Sequence, residues 1–284
     1  MAIVTIKELI EAGVHFGTKS SLWHPKMKPF IFGKRGGIHI IDARETAKAL
    51  INAHYFIQKL ARQNKQVLFV GTKRQAKDVV RDAARSIGMP FICERWLGGT
   101  LTNNSTIRAS IRRLDDIENE MARPDYQRAS KKAQARYARE RRRILRNLEG
   151  VRTMTKLPDA LFVVDPSKEQ TAVREAHRLG IPVIALTDTD CNPDQVNLPI
   201  PGNDDGIRSI QTVVKVLVEA IKSGRALQTQ KADEKKASEE AKPAAPEAKA
   251  DAPAAAAPEA APEAKADAPA AAAPEAKPEA ATEA

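Results

Sequence analysis

Three short, almost wholly apolar runs constrain the fold of this chain more than any other feature. They lie at 67–70, 161–164 and 183–186, and each is followed by a polar or glycine-containing turn. Continuous apolar runs of this length are typical of strands that are buried on both faces of a parallel sheet. Helix-like segments alternate with the runs. The pattern predicts an α/β protein with a Rossmann-like (flavodoxin-like), three-layer parallel sheet.

Capping patterns define the first helices. Thr5 and Glu8 have the spacing of a capping box ahead of a short helix. A strand is predicted at 38–41, and Asp42 can cap the helix that follows it. Since His54 lies on the apolar stripe of that helix, we interpret it as a packed core histidine rather than a ligand.

Glycine and proline mark where the later helices end. The predicted helices 73–87 and 167–179 each run into a Gly-x-Pro sequence, which is typical of a helix end. A last amphipathic helix, from about 205 to 222, is predicted to stop at Gly224.

The segment 105–150 interrupts this alternation, because it has no strand pattern. Its apolar residues follow a spacing close to heptad positions, and Pro124 divides it into two helices. We expect an antiparallel coiled-coil hairpin inserted in the α/β domain, with a seam too narrow to form a core of its own. The seam residues are Ile107, Ile111, Leu114, Met121, Ala129, Ala133, Tyr137, Ile144, Leu148 and Val151.

The C-terminal segment 229–284 has a different composition. No Val, Ile, Leu, Phe, Tyr or Trp follows Leu227, and the 16-residue sequence 245–260 recurs unchanged at 261–276. Such a segment cannot bury a core, so we predict a disordered Ala/Pro/Glu/Lys-rich tail after an α/β domain at 1–228. Its function is open: it can be a solubilising appendage or a binding segment.

The net charge of +10 is unevenly distributed. The tail carries 7 Lys against 12 acidic residues, whereas 1–228 carries 39 basic against 24 acidic residues and has a net charge of +15. A body this basic points to a polyanionic partner, most commonly nucleic acid. The chain has neither an apolar run long enough to span a membrane nor a secretory signal pattern, so we expect a cytoplasmic protein without a membrane partner.

The second helix of the predicted hairpin holds the densest cluster of cations. Between 128 and 146 there are nine basic residues and a single acid, Glu140. Like charges at this density repel one another, so a polyanion is the natural compensation, although a solvated helix face is the alternative. The candidate RNA-binding residues are Arg128, Lys131, Lys132, Arg136, Arg139, Arg142, Arg143 and Arg146.

A second basic cluster is predicted in a loop at 19–35, where cations alternate with aromatic residues and glycines. That mixture suits RNA, because a backbone can approach closely and a base can stack. The aromatic residues can equally pin the loop to the core. The candidate residues are Lys19, Trp23, Lys26, Lys28, Lys34 and Arg35, together with Arg95 in a turn before the hairpin.

Enzyme chemistry has weak support in the sequence. The alternative function is a nucleotide-binding α/β enzyme with its site at the carboxyl ends of the strands, near 71–74, 165–167 and 187–190. None of these segments has a phosphate-binding or nucleophile-elbow motif, so we expect no catalytic residue and no cofactor. The two cysteines, Cys93 and Cys191, have no zinc-site spacing, and the sequence leaves metal binding open.

Taken together, seven segments resemble the bacterial small-subunit ribosomal protein S2 family. They run in family order over nearly all of 1–225: LIEAGVHFG (9–17), WHPKMKPFIFGKRGGIHIID (23–42), VLFVGTKRQAK (67–77), RWLGGTLTNNSTIRASIRRL (95–114), PDALFVVDPSKEQTAVREAHRLGIP (158–182), TDTDCNPD (187–194) and IPGNDDGIRSI (200–210). Two departures are Thr18, where the family usually has histidine, and KSSL at 19–22, where it has an arginine-rich run.

The resemblance implies a non-enzymatic component of the small ribosomal subunit that binds ribosomal RNA. It also implies neighbouring ribosomal proteins as partners, including the large mRNA-binding first protein of the subunit, and we expect no homo-oligomer. A regulatory RNA chaperone that acts away from ribosomes is a further hypothesis.

Overall fold

The computed structural model describes residues 4–124, 126 and 130–240, and from 230 onward its backbone alone. An N-terminal helix comes first, α1 (Ile6–Glu11). The Thr5 hydroxyl accepts from the Glu8 amide and the Glu8 carboxylate accepts from the Thr5 amide, which confirms the predicted capping box.

A small antiparallel sheet follows α1. Its strands are β1 (Phe16–Lys19), β2 (Ile31–Arg35) and β3 (Ile38–Ile41), in the order β1-β3-β2, and a 3-10 helix (Pro25–Phe30) joins β1 to β2. The prediction of a loop at 19–35 is therefore wrong. Gly36 and Gly37 have φ values of +59° and +80°, and this left-handed pair forms the tight β2–β3 turn.

The remaining elements alternate as the apolar runs predict. In chain order they are α2 (Ala43–Arg62), β4 (Val67–Val70), α3 (Arg74–Ile87), β5 (Phe91–Ile92), α4 (Asn104–Ala122), α5 (Lys131–Leu148), a 3-10 turn (Glu149–Val151), β6 (Ala160–Val164), α6 (Gln170–Arg178), β7 (Val183–Thr187), a 3-10 turn (Pro193–Gln195), β8 (Leu198–Pro201) and α7 (Ile207–Glu240).

The large sheet is parallel throughout, with the strand order β5-β4-β6-β7-β8. This is the flavodoxin-like order, in which the chain reverses its winding direction between the first and third strands, here β4 and β6. Alternate side chains enter two cores: Phe69 and Phe162 pack edge-to-face under α2, α3 and α7, whereas Leu68 and Leu161 face α6 and the base of α4 and α5. The three-layer α/β architecture is confirmed.

Gly224 does not end the last helix, so that prediction is wrong. α7 continues to Glu240, past the predicted start of the tail, through a stretch without proline. A β-carbon on Gly224 would lie 2.6 Å from the Ala61 β-carbon and 2.6 Å from the Gln58 carbonyl oxygen of α2. The glycine is therefore needed for the close approach of α7 to α2.

A Gly224→Ala substitution tests this packing role, because the role decides whether the substitution raises or lowers the free energy of unfolding. At an exposed helical position, Gly→Ala stabilises by about 1 kcal/mol. Here we expect destabilisation on the order of 1–3 kcal/mol, because the added methyl group overpacks the α2–α7 contact. Urea unfolding checks it, and a gain in stability would contradict the packing argument.

Candidate nucleic-acid interface

The predicted cations of α5 lie largely on one exposed face. Residues spaced three or four apart share a helix face, and five basic residues follow this spacing. All five side chains are exposed. We call this set the α5 stripe: Lys132, Arg136, Arg139, Arg143 and Arg146. Lys131 and Arg142 are also exposed but lie beside it, and Arg128 lies outside the described residues.

Acids of the hairpin segment pair with other cations. Arg113 of α4 donates to Glu140 at 3.1 Å, and Arg141 donates to Glu118 at 3.1 Å. The hydrogen bond from Arg113 lowers the pKa of Glu140. Across the described part of the chain, no α5-stripe residue forms an ion pair with an acid. Arg136 and Arg143 act on Glu140 only at longer range, so the stripe stays largely positive.

Shallow clefts separate the side chains of the α5 stripe. One of about 350 Å³ lies against Lys132, Arg136 and Arg139. A second, of about 420 Å³, lies against Arg136, Arg139 and Arg143 and also against Glu140, the acid that pairs with Arg113. Guanidinium groups around such clefts can hold phosphate oxygens in bidentate pairs, so the stripe suits a nucleic-acid backbone.

The second predicted cluster lies on the small sheet rather than on a loop. Lys19 and Arg35 both pair in register with Ile38 of the central strand, so the sheet brings these two cations to either side of one residue. Lys28 and Lys34 are exposed as well. Lys26 forms an ion pair with Asp194, which reduces its availability for RNA.

Trp23 is half-buried rather than displayed for stacking. Its ring lies 5.3 Å from the ring of His39, measured between centroids. This contact favours the interpretation that the aromatic residue pins the segment to the fold. Phe32, by contrast, is 70% exposed.

Arg95 is exposed at the start of a loop that one buried carboxylate organises. Glu175 of α6 accepts hydrogen bonds from the Trp96 indole at 3.1 Å and from the amides of Gly99, Leu101 and Thr102 at 2.8, 3.0 and 3.3 Å. Burial acts to raise the pKa of Glu175, but these donors outweigh it and the pKa is lowered. Glu175 is not recognisable in the sequence, since a single acid in an amphipathic helix normally faces water.

Lys73 occupies the carboxyl edge of the sheet, where the enzyme alternative placed its site. Its ammonium lies 2.7 Å from Asp204, 2.7 Å from Asp205 and 3.6 Å from Asp165. Burial acts to lower the pKa of Lys73, but these carboxylates raise it overall. The Asp165 carboxylate also accepts from the Lys168 amide at 3.1 Å, within the turn that follows β6. These residues form a structural ion-pair cluster.

Asp188 is a buried acid in the same region, 2% exposed, and its Oδ1 atom accepts from the amides of Thr18 and Thr189. Burial raises its pKa to about 6. Its unfolded value is about 3.9, so this group favours folding most below pH 4, and that contribution is lost as the pH rises from about 4 to 6.

We therefore expect Asp188→Asn to raise stability at pH 7–8 by about 1–3 kcal/mol and to change it little at pH 4. The asparagine keeps the Oδ1 acceptor and removes only the buried charge. Thermal unfolding of both proteins between pH 4 and 8 checks this. A stability difference that does not depend on pH would contradict a buried charge at Asp188.

No helix among the described residues is both long and apolar enough to cross a membrane. No cluster of three or more His, Cys, Asp or Glu side chains arranged to hold a metal ion occurs in the same part of the chain. His54 is buried, 8% exposed, in α2, which confirms its predicted core position.

Comparisons with known proteins agree with the resemblance. The family model for ribosomal protein S2 matches residues 9–224. Small ribosomal subunit protein uS2 of Rhodopirellula baltica is 51% identical over 242 residues, which cover 85% of this chain and 93% of the relative. The protein of the same name from Thermus thermophilus is 50% identical over 222 residues, covering 78% and 87% of the two chains. This chain belongs to the ribosomal protein S2 family.

Proposed function

We propose that this chain is a structural constituent of the small ribosomal subunit and that it binds small-subunit ribosomal RNA through the α5 stripe. The family is one of structural ribosomal proteins, so the chain is not an enzyme, and it works in the cytoplasm, where ribosomes act. Phosphate contacts supply most of the binding, and the RNA is recognised by shape rather than by sequence.

One observation carries the RNA proposal: the α5 stripe repeats a cation every three or four residues without pairing to the acids beside it. Glu118 and Glu140 instead pair with Arg141 and Arg113. A solvated helix face normally mixes charges, because unpaired like charges repel. Counterion release from RNA phosphates offsets that repulsion when the stripe binds.

The small sheet offers a second RNA contact in this proposal. Lys19, Lys28, Lys34 and Arg35 are exposed there, and the first and last flank the same residue of β3. Clustered cations on a twisted sheet can follow a phosphate backbone. Lys26 contributes less, since Asp194 neutralises it.

Apolar residues of the same sheet support a role in holding neighbouring proteins. Phe16, Phe32 and Ile38 are 50%, 70% and 40% exposed. Phe16 pairs in register with Ile40, two residues from Ile38 on the same strand, and aromatic side chains are enriched at protein interfaces. We propose that proteins of the small subunit dock here, including its large mRNA-binding first protein.

We also propose how the chain is organised. In this proposal the segment 105–150 is an antiparallel coiled-coil hairpin, which carries the RNA-binding face away from the α/β domain. Contacts between α4 and α5 support this packing. We propose the α/β domain at 1–228 and a disordered tail in 229–284 that begins after the end of α7 at Glu240.

Sedimentation of a cell lysate through a sucrose gradient tests the proposal. We expect the protein to co-sediment with small subunits and whole ribosomes, and to leave them only at high salt. If most of the protein remains at the top of the gradient under low salt, it acts away from ribosomes, as an RNA chaperone would.

A further inference from the structure

A cleft at the carboxyl edge of the large sheet lies where flavodoxin-like folds bind ligands. In these folds the ligand enters the crevice at the point where the strand order reverses, here between β4 and β6. A cavity of about 390 Å³ is present there. Thr72, which follows β4, and Lys168 and Thr171, which follow β6, line it, and Arg95 after β5 closes one side. We call it the Arg95–Lys168 cleft.

The charges of this cleft favour an anion. Two carboxylates line it, but both are engaged: Glu94 forms an ion pair with Lys77, and Glu169, 6% exposed, accepts from the Thr72 hydroxyl. Burial raises the pKa of Glu169, which lowers its tendency to carry charge. Within the described chain, Arg95 and Lys168 are exposed and form no ion pair. Lys168 still acts electrostatically on the neighbouring Glu169, but neither Lys168 nor Arg95 is held in an ion pair with a described residue.

The wall that carries Arg95 is rigid. Trp96, the next residue, is 8% exposed, and its indole donates to Glu175, which also holds the amides of Gly99 and Leu101. An arginine anchored beside such a network loses little backbone freedom when it binds a ligand. On the other side of the cleft, the backbone of Lys168 is held by the hydrogen bond from its amide to Asp165.

From this arrangement we propose that the Arg95–Lys168 cleft binds a phosphate group of the ribosomal RNA backbone, as a contact separate from the α5 stripe. Arg95 supplies bidentate donors, Lys168 a point charge, and the Thr171 hydroxyl a further donor. The inference rests on the proposed RNA-binding function and adds a site on the α/β domain to it.

The test measures the salt dependence of binding between the full-length protein and small-subunit ribosomal RNA. The test variant is Arg95→Gln with Lys168→Gln. The matched control is Lys59→Gln with Arg62→Gln, which removes the same charge from two exposed cations of α2 on the other side of the sheet that form no ion pair with any described residue. A third variant, Lys168→Arg, keeps the charge of the cleft.

We expect the double cleft variant to lower the slope of log affinity against log salt by about one unit or less per lost phosphate contact. The control and Lys168→Arg should keep the slope of the unaltered protein. Equal slopes for the cleft variant and its control would overturn the proposal. If the unaltered protein itself binds the RNA without salt dependence, the proposed function fails first, before any variant is compared.

A second arm separates RNA from a free phosphate compound as the source of the ligand. Inorganic phosphate and a nucleoside monophosphate are titrated into the protein alone and followed by phosphorus NMR. Weak binding of both probes together with a reduced RNA slope supports the backbone contact. Saturable, stoichiometric binding of either probe, with an unchanged RNA slope in the cleft variant, would assign the cleft to a free ligand and overturn the proposal.

Discussion

Replacing Arg139, Arg142, Arg143 and Arg146 with glutamine is expected to weaken binding to small-subunit ribosomal RNA on the order of 100-fold at physiological salt. Each phosphate contact contributes up to about one unit to the slope of log affinity against log salt, so the slope should fall by about three units. Three of these residues belong to the α5 stripe, and Arg142 lies beside it. Filter binding or fluorescence titration between about 50 and 300 mM salt measures both the affinity and the slope.

Neighbouring arginines of the hairpin segment provide the control. Arg141 is adjacent to Arg142 in the sequence, but it pairs with Glu118, and Arg113 pairs with Glu140. Arg141→Gln and Arg113→Gln should therefore weaken the contact between α4 and α5 and leave the salt slope nearly unchanged. An unchanged slope in the fourfold variant, with circular dichroism equal to the unaltered protein, would refute the RNA-binding role of this face.

Glu175→Gln is expected to lower the stability of the protein strongly, in contrast to Asp188→Asn at another buried acid. Its two oxygens accept from one indole and three backbone amides. The glutamine amide would direct N–H groups at two of those donors and leave them unsatisfied in a buried site. We expect a loss of about 2–4 kcal/mol in the free energy of unfolding. Urea unfolding followed by tryptophan fluorescence, to which Trp23 and Trp96 both contribute, measures it.

The pH dependence distinguishes this carboxylate from an ordinary one. Because the folded pKa of Glu175 is lowered, its stabilisation is present above the unfolded value, near pH 4.3, and is lost as the pH falls through the folded pKa. The glutamine variant should lose that part of the acid sensitivity. Glu219→Gln, at an exposed position of α7, is the control and should leave stability nearly unchanged. Equal effects of the two substitutions would contradict the network.

The fourfold arginine variant and Glu175→Gln test different parts of the proposed RNA interface. The fourfold variant tests a surface whose residues the sequence already identifies. Glu175→Gln tests the support of the loop that begins at Arg95, and this support is invisible in the sequence. If loss of Glu175 also weakens RNA binding at temperatures where the protein remains folded, the loop contributes to the interface as the cleft proposal requires.

The parallel sheet could be predicted because both faces of its central strands are buried. Such strands are apolar without interruption, and 67–70 matches β4 residue for residue. The small sheet could not be recognised in the same way. β1 and β2 are short, contain glycine and are exposed at many positions, so they lack both a continuous apolar run and a strict alternation. β3 alone carried enough apolar residues to be predicted.

Gly224 shows that a glycine can either end a helix or allow two helices to pack closely. In sequence, a glycine after an amphipathic stretch indicates a helix end, since glycine readily adopts a positive φ. In the structure, the helix continues, and the missing side chain allows α2 to pack closely against α7. The sequence does not distinguish a helix end from a close packing contact at Gly224, whereas the short distance between α2 and α7 in the structure does.

The sequence by itself determined the class of the fold and the location of the positive charge. Apolar runs and helix caps are local signals, and a dense row of arginines remains basic whatever surrounds it. The tertiary structure decided which charges are paired: it brought Arg113, Arg141, Lys26 and Lys73 to acids that are distant in the chain, and it left the α5 stripe, Arg95 and Lys168 without an ion pair to any described residue. The reason is physical, since an ion pair forms only where the fold brings two groups within a few ångströms, and the order of residues does not state that distance.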